Sequence, residues 1–223
     1  MSMRLVDLSY TLRPGGEQRK FEVEMLTADQ VANVRCLPGQ WYIMHNIHMV
    51  SHIGTHIEVP YHINRDGADT ARVPLDRLVG EAVVLDLRGL APRHEISLAE
   101  METAAREAGG IRPGDLALLH TGWDRYWGQS EYAAAPFVSP AAMRWLVEQG
   151  VALVGIDTEG AEVPGSEEHV NHHIMLDNGV PHIENLRNLG ALRRSRVFLF
   201  AAPVAAEGLE SMPLRVVAVE SEE

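Results

Sequence analysis

The stretch "SHIGTHIEVPYH", from Ser51 to His62, places three histidines and a glutamate among apolar and small residues. From residue 52 onward the even-numbered positions read His, Gly, His, Glu, Pro, His, whereas the odd-numbered positions read Ile, Thr, Ile, Val, Tyr. A period of two is typical of a β-strand, in which alternate side chains point to opposite faces. The pattern therefore predicts a buried strand with one apolar face and one face that carries the imidazole and carboxylate groups.

A regular strand would keep two of these histidines apart. At about 3.3 Å per residue, His52 and His56 would be separated by roughly 13 Å, too far to share one ion. Only His56 and Glu58 are near enough on a straight strand to converge. Gly54 can adopt the dihedral angles of a bend, and Pro60 cannot donate to a β-ladder. We therefore expect a bend at Gly54 and a second break at Pro60, before His62.

The histidines of the whole chain are clustered. Nine of the eleven fall in two windows, residues 45–62 and 169–182. One histidine on a core strand is usually a hydrogen-bonded structural residue, but several buried ionisable groups in one place need a common partner. Neutral imidazole and carboxylate are ligands of zinc and manganese, so a divalent cation is the simplest such partner.

The second window reads "SEEHVNHHIMLDNGVPHIENL", residues 166–186. Its first half predicts a short helix from Ser166 to Gly179, with histidines spaced three and four apart on one side. Either His172 or His173 then points inward. Glu184 follows Pro181 in an apolar setting, and since a buried glutamate is rarely unpaired, we favour a ligand. We expect solvent-exposed side chains for the other two histidines, His169 and His182.

Composition and charge exclude several classes of protein. With 19 basic and 31 acidic residues the formal net charge is −12, and no basic run occurs, which argues against nucleic acid and anionic membranes as partners. A small-molecule substrate is the expected ligand. The chain has neither a 20-residue apolar stretch nor a secretory signal, which predicts a cytoplasmic protein. The single cysteine, Cys36, cannot form an internal disulfide, and we expect it to be buried.

The remaining pattern is that of an α/β protein. Two helices are predicted over 97–110 and 139–150, with Ser97 and Ser139 as N-caps, and each precedes an apolar strand. The segment 13–39 is predicted to be a long surface excursion. Trp123 and Asp157 lie at the ends of predicted strands. A role in substrate binding and a role in packing or loop capping are equally consistent with these positions. The predicted strands span residues 3–12, 41–59, 81–89, 115–123, 151–157 and 196–204.

The sequence "HIGTHIEVPYH" resembles the His-x-Gly-Thr-His-x-Asp-x-Pro-x-His signature of the cyclase-like metal-dependent hydrolases, which include bacterial kynurenine formamidase and isatin hydrolase. The resemblance extends over most of the chain. It implies a swivelling β/β/α fold with a mixed sheet and flanking helices, one domain spanning residues 1–223, and a homo-oligomer, either dimer or tetramer. The further matching stretches are "DLS" (7–9), "GEAVVLDLRG" (80–89), "LLHTGWD" (118–124), "VGIDTEG" (154–160) and the spacing from His172 to Glu184.

The same resemblance implies roles for six residues. One divalent ion, zinc or manganese, would be held by His52, His56 and Glu58, and a second ion, where present, by Glu58, His172 and Glu184. His62 matches the catalytic acid/base of the family.

Two departures from the family pattern matter. Glu58 replaces the usual Asp, which leaves open whether this carboxylate bridges two ions or serves one. The N-terminal loop, "LRPGGEQ" (12–18), lacks a Trp-Pro-Gly-Asp run, which weakens N-formylkynurenine as the substrate.

Three functions are consistent with these features. The first is metal-dependent hydrolysis of an amide (formamide, lactam or imide) or a lactone in a small molecule, with His62 moving the proton. Serine catalysis is disfavoured, because the chain has no G-x-S-x-G elbow. The second function is a metal-stabilised binding domain without catalysis. The third is a cyclase or lyase that acts without net hydrolysis.

Overall fold

A curled mixed β-sheet carries the fold. The computed structural model describes residues 2–31 and 33–221, which form a mixed α/β architecture, as the sequence predicted. In this part of the chain nine strands make one sheet, in the order β1-β13-β11-β5-β7-β9-β10-β4-β12. The strands are β1 (Met3–Asp7), β2 (Phe21–Thr27), β3 (Ile43–Met49), β4 (His56–Glu58), β5 (Val79–Asp86), β6 (Glu95–Ile96), β7 (Leu116–His120), β8 (Phe137–Val138), β9 (Leu153–Ile156), β10 (His182–Glu184), β11 (Arg196–Phe200), β12 (Ser211–Pro213) and β13 (Val217–Ser221).

The centre of the sheet is parallel and buried on both faces. Strands β5, β7, β9 and β10 run parallel to one another, and the outer strands pair antiparallel. Parallel strands covered on both faces read as continuous apolar runs, which is why "LALLH" shows no alternation. One face packs against helices, and the other packs against the curled outer strands of the same sheet.

Helices cover the first of these two faces. The described residues form α1 (Leu98–Glu107), α2 (Pro140–Glu148) and α3 (Val170–Leu176). Ser97 caps α1 in a capping box with Glu100, and Ser139 caps α2 with Pro140 in the first turn, as predicted. Met101, Met143 and Met175 bring one buried side chain from each helix into the same core.

The prediction of one continuous strand over residues 41–59 is wrong. It divides into β3, which pairs with β2 in a separate antiparallel hairpin, and β4, which lies in the main sheet between β10 and β12. Between β3 and β4 the chain turns through residues 50–55. The segment 13–39, predicted as a long surface excursion, is mostly exposed and contains β2, and Cys36 is partly exposed rather than buried.

Among the described residues, no helix combines the length and apolar character needed to cross a bilayer. The cytoplasmic location stays a prediction from the sequence.

The structure contains a natural comparison between a buried and an exposed ion pair. Arg196 forms a bidentate ion pair with Asp115, with N–O distances of 2.6 and 3.1 Å, and the aspartate is buried. Arg88 makes the same kind of contact with Asp86, at 2.6 and 2.8 Å, with both side chains more than half exposed.

We expect Asp115→Ala to lower the free energy of unfolding by about 3–5 kcal/mol, because it leaves the largely buried guanidinium of Arg196 without its carboxylate partner. Asp86→Ala should cost about 1 kcal/mol or less, because water replaces the lost partner. Urea unfolding of the two variants measures both values. Equal losses in the two variants would contradict the role given to burial.

Candidate metal centre

Two short antiparallel strands form the floor of the site. In the register of β4 with β10, Glu184 lies opposite His56 and His182 lies opposite Glu58. Residues directly opposite share a face, and so do residues two apart on one strand. The four ionisable side chains therefore lie on one face, while Ile57 and the residue opposite it, Ile183, enter the apolar core on the other.

A bend at Gly54 brings His52 back toward Glu58. Gly54 has a φ of +54°, a left-handed conformation that favours glycine, so the predicted bend is present. As a result His52 Nδ1 lies 2.7 Å from Glu58 Oε1. The carbonyl of Gly54 accepts hydrogen bonds from His56 Nδ1 at 2.9 Å and from the amide of Asn185 at 3.0 Å. The bend is thus tied both to the histidine that follows it and to the end of β10.

The candidate ligands form two groups that share Glu58. His52, His56 and Glu58 offer ligand atoms within 4.8 Å of one another, and so do Glu58, His172 and Glu184. The two oxygens of Glu58 face different groups: Oε1 lies 3.5 Å from His56 Nε2, whereas Oε2 lies 3.0 Å from His172 Nε2. Glu184 also approaches both groups. The structure thus brings together the five residues that the sequence singled out, and their assignment as ligands stays a prediction.

The charges of these groups call for a cation. Glu58 and Glu184 are 3% and 7% exposed. Burial alone would raise the pKa of Glu58, but close contacts with the imidazoles of His172, His52 and His56 hold it far below its usual range. Burial alone would lower the pKa of His172, but contacts with Glu162, Glu184 and Glu58 raise it to about 12. Both shifts show that this pocket stabilises positive charge next to two carboxylates.

Unpaired polar atoms agree with that requirement. Among the described residues, the buried side-chain atoms without a hydrogen-bond partner include His56 Nε2, Glu58 Oε2 and His182 Nε2; the contact of Glu58 Oε2 with His172 Nε2 at 3.0 Å does not have hydrogen-bond geometry. Buried polar atoms are normally paired, and such exceptions need an explanation. Imidazole nitrogens and carboxylate oxygens that converge within a few ångströms form a donor set for zinc or manganese, so the residues fit a divalent ion.

His172 enters the site from α3, which is shorter than predicted. The helix begins at Val170 rather than Ser166, because His169 adopts a left-handed conformation with a φ of +47° at the N-cap. His172 points inward, and its neighbour His173 is exposed and contacts Asp177 at 3.0 Å. His169 is exposed, as expected.

The expectation for His182 was wrong. Its side chain is completely buried, with Nδ1 donating to the carbonyl of Val154 at 3.0 Å. The reason is that His182 lies within β10, a strand too short to show an alternating pattern, between β9 and β4. Its Nε2 lies 3.8 Å from Glu184 Oε1, outside the two groups of candidate ligands.

His62 stands at the edge of the centre. It ends a short 3₁₀ helix, Pro60–His62, which forms the predicted break after β4. Its Nε2 lies 3.9 Å from Glu58 Oε2, beyond hydrogen-bonding distance, and burial lowers the pKa of its imidazole. It is not a member of either candidate ligand group.

A cavity of about 650 Å³ opens over these groups. His62, His172 and Glu184 lie in its wall, together with Arg19 from the loop that precedes β2. A smaller adjoining cavity of about 130 Å³ has Trp127 and Tyr132 in its wall. The two cavities share His52 and Arg19, so they surround the same centre.

The two strand-end residues that the sequence left open are structural. Trp123 is buried against Tyr126, and its indole N–H donates to the carbonyl of Glu131. Asp157 is fully buried and accepts hydrogen bonds from the backbone and hydroxyl of Thr121 and from the backbone of Gly122. Packing and loop capping account for both side chains.

Sequence reasoning missed three residues that support the centre. Asn185, in a left-handed conformation with a φ of +57°, accepts from the hydroxyl of Tyr132 and donates to Gly54. Glu210 lies 3.3 Å from His52 Nε2, and Glu162 contacts His172. An Asn directly after Glu184 was the one local signal, because Asn tolerates the left-handed region.

Comparisons with known proteins agree with the geometry. Residues 6–163 match the model of a family described as putative cyclase. Kynurenine formamidase from Salinibacter ruber is 30% identical over 180 residues, which cover 77% of each chain. Among solved structures, isatin hydrolase A from Labrenzia aggregata, bound to benzyl benzoate, has a TM-score of 0.84 at 26% identity and covers 99% of this chain and 94% of its own. A predicted metal-dependent hydrolase from Bacillus stearothermophilus has a TM-score of 0.77 at 26% identity, with coverage of 98% and 99%.

We expect removal of divalent ions to lower the melting temperature. An ion at about 1,000 times its Kd stabilises the folded state by about 4 kcal/mol. For a chain of this size that corresponds to about 8–16 °C. Calorimetry of protein stripped with chelator, before and after addition of zinc or manganese, measures the shift. The same melting temperature with and without every divalent ion would contradict the centre.

Proposed function

The chain belongs to the putative cyclase family, and from that membership we propose that it is a metal-dependent hydrolase that cleaves a non-peptide carbon–nitrogen bond in a small molecule. The observation that carries the proposal is the convergence of three imidazoles and two carboxylates, all but His56 on the wall of a cavity of about 650 Å³. That volume is in the range of small-molecule sites. The substrate class is an amide, such as a formamide, lactam or imide; the alternative is a lactone, in which the cleaved bond would be carbon–oxygen.

The ligands follow from the two groups described above. His52, His56 and Glu58 would hold one ion of zinc or manganese, and Glu58, His172 and Glu184 would hold a second. A divalent ion bound there would lower the pKa of a water molecule toward about 7 and polarise the carbonyl oxygen of the substrate. Because the two oxygens of Glu58 face different groups, one oxygen would be available to each ion.

His62 is the proposed acid/base. Its lowered pKa keeps the imidazole neutral at neutral pH, so that it can accept a proton from the attacking water. Its Nε2 is not hydrogen-bonded to Glu58 and lies at the cavity wall, free to contact substrate. The same nitrogen then delivers the proton to the leaving nitrogen, or to the leaving oxygen of a lactone.

The adjoining cavity suggests one feature of the substrate. Trp127 and Tyr132 supply an aromatic wall beside His52. Aromatic side chains contribute large apolar contact areas and favour flat partners. We propose that a planar substituent of the substrate lies there.

We expect His62→Ala to retain its metal and to lose about 10²- to 10⁴-fold in kcat, the usual contribution of general acid–base catalysis. His56→Ala should lose both metal and activity. The measurement is turnover of a panel of aryl formamides, isatin-like lactams, imides and lactones, together with metal content. His173→Ala, on the exposed side of α3, is the matched control and should behave as wild type. Equal residual activity in the first two variants would count against the assignment.

Oxygen-18 from solvent separates hydrolysis from the two other functions. Hydrolysis places one labelled oxygen in the product. A cyclase or lyase that acts without net water would give unlabelled product, and a binding domain would give no product with any member of the panel.

We also propose that the protein is a homo-oligomer. The support is the family resemblance and the hairpin of β2 and β3, in which Val23 lies opposite Ile47 with both side chains more than 40% exposed. A two-stranded hairpin is marginally stable by itself, and an exposed apolar face on it favours contact with a second copy of the chain.

Sedimentation velocity at micromolar concentration should show a dimer or a larger oligomer. Ile47→Glu should shift the protein toward monomer, because it places a charge in the proposed contact. A monomeric wild-type protein would overturn this proposal and leave the hydrolase assignment unaffected.

A further inference from the structure

Glu162 lies outside both groups of candidate ligands but contacts one of them closely. Its Oε1 accepts a hydrogen bond from the backbone N–H of His172 at 2.8 Å and lies 3.0 Å from His172 Nδ1. The two side chains are 13% and 9% exposed. One carboxylate oxygen therefore holds both the start of α3 and the imidazole ring that projects from it.

This contact determines which nitrogen of His172 is available. An ionised carboxylate can only accept a hydrogen bond, so Nδ1 must carry the hydrogen that it donates to Glu162. The lone pair of a neutral ring is then on Nε2, which lies 3.0 Å from Glu58 Oε2 and 3.7 Å from Glu184 Oε1. In the opposite tautomer Nε2 would carry a hydrogen and could not bind a cation.

We propose that Glu162 is a positioning residue that holds His172 in the orientation and tautomer required by the second ion, an inference that rests on the metal centre of the proposed function. A carboxylate behind a ligating imidazole also increases its basicity, which strengthens the bond to the ion.

Hydrogen bonds of the neighbouring residues hold this contact in place. Asn171, which precedes His172, is 1% exposed and donates to the carbonyls of Val138 and Ala161 at 2.7 and 2.9 Å. Ala161 directly precedes Glu162. The loop after β9 and the first turn of α3 are therefore joined through two adjacent residue pairs, which fixes the carboxylate relative to the ring.

Glu162 contacts a ligand of the second group only: in the first group His56 Nδ1 donates to the neutral carbonyl of Gly54, and the carboxylate 3.3 Å from His52 Nε2 is that of Glu210. Loss of the Glu162 charge should therefore weaken the two ions unequally. Glu162→Gln keeps an oxygen that can accept both hydrogen bonds and removes only the charge. Glu162→Leu removes the acceptor as well.

Competition between a chromophoric chelator and metal-free protein, titrated with zinc, tests the proposal without any substrate. For Glu162→Gln we expect one class of zinc site to weaken about 10- to 100-fold, with a larger loss for Glu162→Leu and an unchanged affinity at the other site. Metal-free Glu162→Gln should melt below metal-free wild type, because it loses the charge paired with the protonated His172, so the readout that separates positioning from a purely structural role is the weakening of one class of zinc site alone.

Asp177→Asn is the matched control. Asp177 contacts Nδ1 of the adjacent His173 at the same distance of 3.0 Å, but at an exposed position, and its loss should leave zinc affinity unchanged. Wild-type zinc affinity in Glu162→Gln, or an equal loss at both sites, overturns the positioning role alone. A wild-type protein that binds no zinc and no manganese overturns it together with the proposed metal centre.

Discussion

Buried negative charge is the constraint on which the site depends. Glu58 and Glu184 lie on adjacent strands with almost no access to water, and each meets imidazole rings rather than lysine or arginine. Burying carboxylates is costly unless positive charge compensates for them. A pocket that raises the pKa of His172 to about 12 holds a proton where we propose that a divalent ion binds. The stability of the fold and the affinity for metal therefore both depend on compensation of the same buried carboxylates by positive charge.

The fold satisfies this constraint with little regular structure. Two strands of three residues, β4 and β10, provide a flat floor, and a bend, a 3₁₀ helix and a short helix supply the remaining side chains. Left-handed residues occur where the chain must turn sharply beside the site, at Gly54, His169 and Asn185. Such conformations persist only where the surroundings over-determine them, and here the hydrogen bonds of Asn185 to Gly54 and Tyr132 do so.

Part of the architecture could be predicted from the sequence. The alternating pattern of residues 51–62 predicted the bend at Gly54, because a straight strand would keep His52 and His56 too far apart to share an ion. The capping residues predicted the starts of α1 and α2. Pairing of β4 with β10 could not be predicted, because three-residue strands carry no period, and the burial of His182 was missed for the same reason. Nor does any local signal mark Glu162, whose role arises only when α3 packs against the loop after β9. The hairpin was missed because its strands mix charged and apolar residues on an exposed surface.

The central claim is that imidazoles and carboxylates from separate segments surround one or two divalent ions. Anomalous diffraction from crystals grown with zinc or with manganese tests this most directly. We expect a peak about 2.0–2.2 Å from His56 Nε2 and from an oxygen of Glu58, with any second peak at a similar distance from His172 Nε2 and a Glu184 oxygen. A map with strong metal peaks elsewhere on the protein and none between these side chains would contradict it.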